Sequence, residues 1–155
     1  MTACPVCGSK NTKAVAPFRY QNSVFTGCSR TLCSDCGMVF ASPMPSAAAL
    51  TAYNESYFSM AHGGQPTSPL VIAFSSGVAR LRLAFVKRFL DRHQITVDRI
   101  LELGPGPGFF ARSWLEQSRA SVYSVVETDS SCHESLRALG ARLVGASDVV
   151  PSDLV

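Results

Sequence analysis

The sequence predicts an α/β fold in which a small cysteine-rich domain precedes a doubly wound parallel sheet. Three observations predict it. Two cysteine pairs lie near the N-terminus, an apolar run ends in a glycine-rich turn at residues 100–108, and a second apolar run ends at Glu127 before another helical pattern. Strand patterns that alternate with helical patterns are typical of a parallel sheet whose crossovers are helices.

The cysteine pairs have the spacing of a metal site. Cys4 and Cys7 precede Gly8, Cys33 and Cys36 precede Gly37, and 25 residues separate the two pairs. Two such turns offer four thiolates, which is a ligand set for tetrahedral zinc, and the glycine behind each pair lets the backbone curl around the sulfur atoms. We therefore predict a zinc ribbon over residues 1–41, with a structural zinc bound by Cys4, Cys7, Cys33 and Cys36.

Disulfides are the alternative for these four thiols. The N-terminal residues carry neither the basic region nor the apolar run of a secretory signal. Because reducing compartments keep thiols free, we favour zinc and a cytoplasmic location. Cys28 is interpreted as a spare thiol that could compete as a ligand, and Cys132 as a small core residue.

Residues 42–69 are predicted to connect the two domains. Ser46 can cap a short helix that runs towards Tyr57, with Tyr53 and Tyr57 on one face. The segment 61–69 is rich in Gly and Pro and indicates a linker. His62 would be a candidate general base if this linker folded over the site.

Residues 70–92 have the pattern of a long amphipathic helix. Phe74, Val78, Leu81, Phe85 and Phe89 recur at helical spacing, so we expect this face to pack on the sheet and the basic residues between 80 and 92 to face solvent. The chain is 46% hydrophobic with a net charge of +3. We find no apolar run close to the ~20 residues of a membrane span, and predict none.

The glycine turn is the most informative stretch of the second domain. An apolar strand pattern ends at Glu102, and Gly104, Gly106 and Gly108 follow at alternate positions before a predicted helix over 109–117. Glycines allow positive φ and let a ligand lie directly against the backbone. A dinucleotide motif would need its third glycine where Phe109 stands, and a phosphate-binding loop would need a lysine. Both nucleotide-phosphate interpretations, including an NAD-dependent enzyme, are therefore weakened.

A second predicted strand, residues 121–126, ends at Glu127, which lies 25 positions after Glu102. In a doubly wound sheet, an acidic residue at the tip of the second strand can hydrogen bond to ribose hydroxyls. The Ser131 to Glu134 segment matches a capping box for the next helix, which ends near Gly140.

The segment from Glu102 to Gly108 resembles motif I of the class I S-adenosylmethionine (SAM) dependent methyltransferases. With the cysteine pairs and Glu127, the chain resembles bacterial members of that class that carry an N-terminal zinc ribbon. The resemblance implies methyl transfer from SAM to a small-molecule or biosynthetic intermediate. It places Gly104, Gly106 and Gly108 along the methionine and ribose of SAM, Glu127 on the ribose, and Glu102 at the methionine end.

The resemblance also implies that residues 70–155 form only the N-terminal half of a Rossmann-like methyltransferase sheet. Asp153 to Val155 resembles the opening of the fourth strand. Acceptor pockets and bases of this class come from later segments, so we name no catalytic residue. We interpret the chain as C-terminally truncated and expect it to bind SAM weakly.

A zinc-ribbon binding module on a non-catalytic scaffold is the alternative, with nucleic acid or protein as its partner. Basic and aromatic residues in the ribbon could contact nucleic acid; they are Lys10, Lys13, Phe18, Arg19, Tyr20, Phe25 and Arg30. These basic residues are sparse, and Glu102 and Glu127 have no use on a phosphate-binding face. Nucleic acid is therefore the less favoured partner, and we expect no membrane partner.

Overall fold

The described residues form two separate β-sheets with helices between and after their strands. A computed structural model describes residues 2–17, 23–63, 68–117, 122–148 and 151–155. The chain divides into two units, residues 1–53 and residues 54–155. Each unit contains one three-stranded sheet, antiparallel in the first and parallel in the second.

The first unit is built on strands β1 (Thr12–Pro17), β2 (Ser29–Cys33) and β3 (Val39–Ser42), in the order β1-β2-β3. Thr12 pairs with Cys33, which sets the start of β1 beside the second cysteine turn. Helix α1 (Ala47–Glu55) follows. The backbone N–H of Ala49 donates to Oγ of Ser46 at 3.2 Å, which confirms the predicted cap.

Helix α2 (Tyr57–His62) begins after a break at Ser56. Tyr53 and Tyr57 therefore belong to different helices, and the prediction of one shared helical face is wrong. The side chain of His62 lies outside the described part of the structure, as do residues 64–67 of the predicted linker.

Helix α3 (Pro69–His93) agrees with the predicted long helix, but a different face of it packs on the core. Leu83 and Leu90 are buried in the core of the second unit. Phe74, Leu81 and Phe85 are instead 71%, 73% and 74% exposed. The helix carries two apolar stripes at helical spacing, and the stripe of Ala79, Leu83, Val86 and Leu90 is the one that packs. Spacing alone does not distinguish two such stripes.

By length and composition α3 is apolar enough to cross a membrane, contrary to our expectation from the sequence. One such helix is weak evidence for a span, because core helices of soluble proteins also meet this criterion.

The second sheet has parallel strands in the order β4-β5-β6, formed by Arg99–Leu103, Val122–Val126 and Arg142–Leu143. Helix α4 (Phe109–Gln117) connects β4 to β5, and α5 (His133–Ala138) connects β5 to β6. The bounds of α4 match the prediction. Leu154 forms a parallel bridge with Ile100, which also pairs with Tyr123 of β5. After β6 the chain thus returns to the other edge of β4, and the strand order reverses there.

Helix α5 begins differently from the prediction. Ser131 does not cap it; the carboxylate of Asp129 accepts the backbone N–H of Ser131 at 3.0 Å and the Ser131 hydroxyl at 2.6 Å. A 3₁₀ turn, Ser130–Cys132, precedes the helix. The predicted capping box is wrong because the N-cap position of α5 is Cys132, and the nearest capping carboxylate, that of Asp129, caps the 3₁₀ turn instead.

Candidate functional site

The four predicted zinc ligands lie together. Their sulfur atoms are all within 4.8 Å of one another. The Cys4–Cys36 and Cys7–Cys33 sulfur pairs are each 3.6 Å apart. A tetrahedral site with Zn–S bonds of about 2.3 Å has sulfur atoms about 3.8 Å apart, so the cluster has the dimensions of a four-thiolate zinc site. All four thiols are free, which disfavours the disulfide alternative.

The two cysteine turns share one backbone geometry. The N–H of Gly8 donates to the carbonyl of Cys4 at 2.9 Å, and the N–H of Gly37 donates to the carbonyl of Cys33 at 3.0 Å. Gly8 and Gly37 have φ values of +72° and +75°, which a residue with a Cβ adopts at a cost. The predicted role of the two glycines in curling the backbone is confirmed.

The thiols influence one another electrostatically. Backbone N–H groups, chiefly that of Cys7, lower the pKa of Cys4 to about 7. At Cys36 the N–H of Met38 favours the thiolate, but the nearby thiol of Cys7 and burial outweigh it and raise the pKa to about 12. Neighbouring thiolates disfavour each other's ionisation, so a bound divalent cation would be needed for all four to ionise at neutral pH.

A polar network joins the two cysteine turns, and sequence reasoning missed it. The Asp35 carboxylate accepts hydrogen bonds from the Ser9 hydroxyl and, at 2.8 Å, from Nδ2 of Asn11. These bonds, from Ser9 first, hold the pKa of Asp35 below its usual value. Asp35 lies between Cys33 and Cys36, so the network ties the second turn to the chain that follows the first.

The two remaining cysteines lie outside the cluster. The thiol of Cys28 donates to the carbonyl oxygen of Pro43 at 3.2 Å. Cys132 is fully buried in the core of the second unit, as predicted. Burial raises the pKa of Cys132 to about 11, so this thiol is unreactive at neutral pH.

The glycine turn stands at the carboxyl end of β4. The N–H of Gly104 donates to the carbonyl of Val126 at 2.9 Å, which joins the turn to β5. Gly104, Gly106 and Gly108 all have positive φ. A Cβ at Gly104 would meet nothing within 4 Å, whereas a Cβ at Gly108 would lie 2.8 Å from Leu139 and 2.9 Å from Leu136. Gly104 thus faces open space, and Gly108 permits close packing against α5 and the residue after it.

Glu127 binds the glycine turn directly. Its Oε2 accepts the N–H of Gly106 at 2.8 Å, and its Oε1 accepts the N–H of Asp129 at 2.9 Å. A carboxylate oxygen can accept two hydrogen bonds, so each oxygen of Glu127 keeps capacity for a ligand donor. The structure therefore brings Glu127 and Gly106 together, as motif-based reasoning expects of residues at the ends of adjacent strands.

Glu102 is the penultimate residue of β4, two positions before Gly104. Its Oε2 accepts the hydroxyl of Tyr123 at 2.8 Å. Burial raises the pKa of Glu102, and the charge of Glu127 adds to this, while Tyr123 and the guanidinium of Arg82 oppose it. Burial and the Glu102 charge in turn raise the pKa of Tyr123. Tyr123 therefore orients the Glu102 carboxylate as a neutral donor.

Two cavities adjoin Glu102. One of about 250 Å³ is lined by Glu102, Gly104, Arg82 and residues of α3 and α4. The other, about 770 Å³, lies between α3 and the β4 edge and is lined mainly by apolar side chains such as Leu81, Phe85 and Leu154. The smaller cavity reaches the glycine turn, and Glu127 lines neither of the two.

The described residues of the alternative nucleic-acid interpretation lie in the first unit. Lys10, Lys13 and Arg30 have exposed side chains. The ring of Phe25 packs edge-on against Tyr53 with centroids 5.3 Å apart. Phe18, Arg19 and Tyr20 lie outside the described residues.

No protein-family model matches the chain, and no curated protein matches it.

Proposed function

We propose that this protein binds SAM at the glycine turn and takes part in methyl transfer to a small-molecule or biosynthetic intermediate. The observation that carries the proposal is the position of the turn. It follows β4, the strand at which the order of the parallel sheet reverses, and ligands of open α/β sheets bind outside the carboxyl ends of strands at such a point. A Rossmann-like sheet is part of the same proposal.

The residues around the turn suit a ligand without a pyrophosphate. Gly104 leaves the backbone open to close approach, and Glu102 and Glu127 supply two carboxylates, while Arg82 lines the same cavity as Glu102. In the proposed complex Glu102 faces the methionine amino group, the glycines lie along the methionine and ribose, and Glu127 accepts hydrogen bonds from the ribose hydroxyls. When bound, SAM supplies an electrophilic methyl group on its sulfonium.

The four-cysteine cluster would hold a structural zinc. Four protein ligands leave no open coordination position, so we assign the metal a role in folding and none in the chemistry. Thiolate ligands persist in a reducing compartment, which supports a cytoplasmic location.

Ligand choice tests the proposal. We expect backbone amide NMR signals of Gly104 and Gly106 to shift on titration of the ¹⁵N-labelled chain with SAM or its demethylated product, at ligand concentrations up to millimolar. NAD and ATP should cause much smaller shifts at equal concentration, because the turn lacks their phosphate-binding residues.

The glycines of the first unit provide the internal control, since Gly8 and Gly37 should not respond to any of these ligands. Larger shifts with NAD than with SAM, or no shift at Gly104 and Gly106 with SAM, would contradict the proposal. A response to oligonucleotides confined to Lys10, Lys13 and Arg30 would favour the binding-module alternative.

A further inference from the structure

A buried carboxylate that no motif marks lies beside the glycine turn. Asp129 is only 2% exposed. Its oxygens accept five hydrogen bonds, from the backbone N–H groups of Phe58, Ser59 and Ser131 and from the hydroxyls of Ser59 and Ser131. Burial by itself would raise the pKa of Asp129, but these donors outweigh it and lower the pKa. The carboxylate is therefore a charged acceptor with a specific set of partners.

Three of these bonds reach across the chain to α2. Oδ2 of Asp129 accepts the N–H of Phe58 at 2.8 Å and that of Ser59 at 3.1 Å. These are among the first N–H groups of the helix, which have no partner within it. The N-cap side chain of α2 itself, Ser56, forms no capping bond. Asp129 thus caps α2 from about seventy residues further along the chain.

The helix held in this way touches the glycine turn. A Cβ at Gly106 would lie 3.7 Å from Cδ2 of Phe58, an ordinary contact distance, so the Phe58 ring packs on this face of the turn. Gly106 is bound by Glu127, and Glu127 is bound by the N–H of Asp129. Contacts therefore run in a closed ring from Asp129 to Phe58, Gly106, Glu127 and back.

We propose that Asp129 is a positioning residue for the ligand site: its carboxylate fixes the start of α2, and α2 holds the Phe58 ring against Gly106 as one wall of the site. The identity of the ligand rests on the proposed function; the positioning itself is measurable without ligand.

Asp129→Asn is the direct test, because asparagine keeps the backbone N–H that Glu127 accepts but turns one acceptor oxygen into a donor. We expect amide hydrogen exchange at Phe58 and Ser59 to become faster by about tenfold or more. The Gly106 signals should move towards their positions in Phe58→Ala, since both variants remove the ring from the turn. Ser131→Ala is the matched control: it removes one donor to Oδ1 and should leave Gly106 unchanged.

Unchanged exchange at Phe58 and Ser59, or native Gly106 signals in Asp129→Asn, would overturn the inference. If that variant unfolds, acid titration of the native chain decides the matter. A lowered folded-state pKa means that the interaction is intact above the ordinary carboxyl range and is lost as pH falls through the lowered value. The Phe58 and Ser59 amide protons should shift upfield with the Asp129 ¹³Cγ signal; amide protons that do not follow it would refute the tether.

A SAM titration of the same samples separates this inference from the proposed function. Failure of the native chain to bind SAM would overturn the function, while the exchange data still decide the role of Asp129. If the native chain binds SAM, Asp129→Asn should weaken binding by about tenfold. The double variant Asp129→Asn/Phe58→Ala should bind SAM no more weakly than the single variant of lower affinity. Additive losses would contradict action through Phe58.

Discussion

The two units of the chain differ in what holds them together. Among the described residues, the buried cluster of the first unit consists of Cys4, Cys33 and Phe40 only, and two of these three are proposed metal ligands. In the described part of the second unit, ten buried residues form one cluster that spans its helices and its sheet. A buried cluster of three residues cannot balance the conformational entropy of folding, whereas a cluster of ten contributes substantially. We infer that the first unit folds with its metal and the second by packing.

Removal of the metal should give the largest difference between the units. Apparent binding free energies of structural zinc in small domains are about 10–16 kcal/mol, and that binding is coupled to folding. A strong chelator should therefore abolish the dispersed NMR signals of residues 2–17 and 29–42. Trp114, the one tryptophan of the chain, lies in the core of the second unit, so its fluorescence should not change.

Two cysteine variants sharpen this prediction. Cys33→Ser should lose zinc by elemental analysis and unfold the first unit, while Cys28→Ser, outside the cluster, should retain one zinc per chain. Freshly purified protein without metal and with its four clustered thiols oxidised would contradict the assignment.

The next largest effect concerns the packing face of α3. Leu83 is 1% exposed and Phe85 is 74% exposed. Leu83→Ala should destabilise the second unit by about 2–5 kcal/mol, because it leaves a cavity in the core. Phe85→Ser should change the free energy of unfolding by about 0.5 kcal/mol or less. Urea unfolding followed by Trp114 fluorescence measures both changes. A larger loss of stability in Phe85→Ser than in Leu83→Ala would show that the face predicted from sequence is the one that packs.

A smaller effect separates backbone strain from packing at two glycines. Gly108 and Gly140 both have φ of +83°, but a Cβ meets Leu136 and Leu139 below 3 Å at Gly108 and nothing within 4 Å at Gly140. Both substitutions by alanine incur the cost of positive φ, about 1–2 kcal/mol. Gly108→Ala should cost about 1–3 kcal/mol more because of overpacking. Equal losses in urea unfolding would show that Gly108 is not packed as the structure has it.

The comparison also explains what the sequence could predict. The four-cysteine cluster was predictable because its members are side chains at a fixed local spacing, and two glycines mark the turns. The network of Ser9, Asn11 and Asp35 was not, because it depends on how two distant turns meet. The bounds of α4 and the positions of Glu102 and Glu127 followed from local pattern and chain order.

The sequence-based predictions were wrong where two local patterns were equally compatible with the sequence. Helix α3 offers two apolar stripes, and only tertiary packing selects the one that contains Leu83. Before α5, Asp129 and Ser131 are both good capping residues. Asp129 caps the 3₁₀ turn that precedes α5, and its carboxylate also binds α2. An Asp two residues after a strand-end acid and just before a helix is the signal that could have indicated it.

The central claim is that the glycine turn bound by Glu127 is a SAM site, and the affinity of a Glu127→Gln variant tests it most directly. Glutamine keeps the length of the side chain but presents an amide donor where the native carboxylate accepts the N–H of Gly106 or Asp129. SAM binding, measured from the amide shifts of Gly104, should weaken by about tenfold or more, since a charge-assisted hydrogen bond contributes about 1.5–3 kcal/mol. Glu134→Gln, an exposed acid on α5, should bind like the native chain. Native affinity in Glu127→Gln would remove Glu127 from the site and contradict the claim.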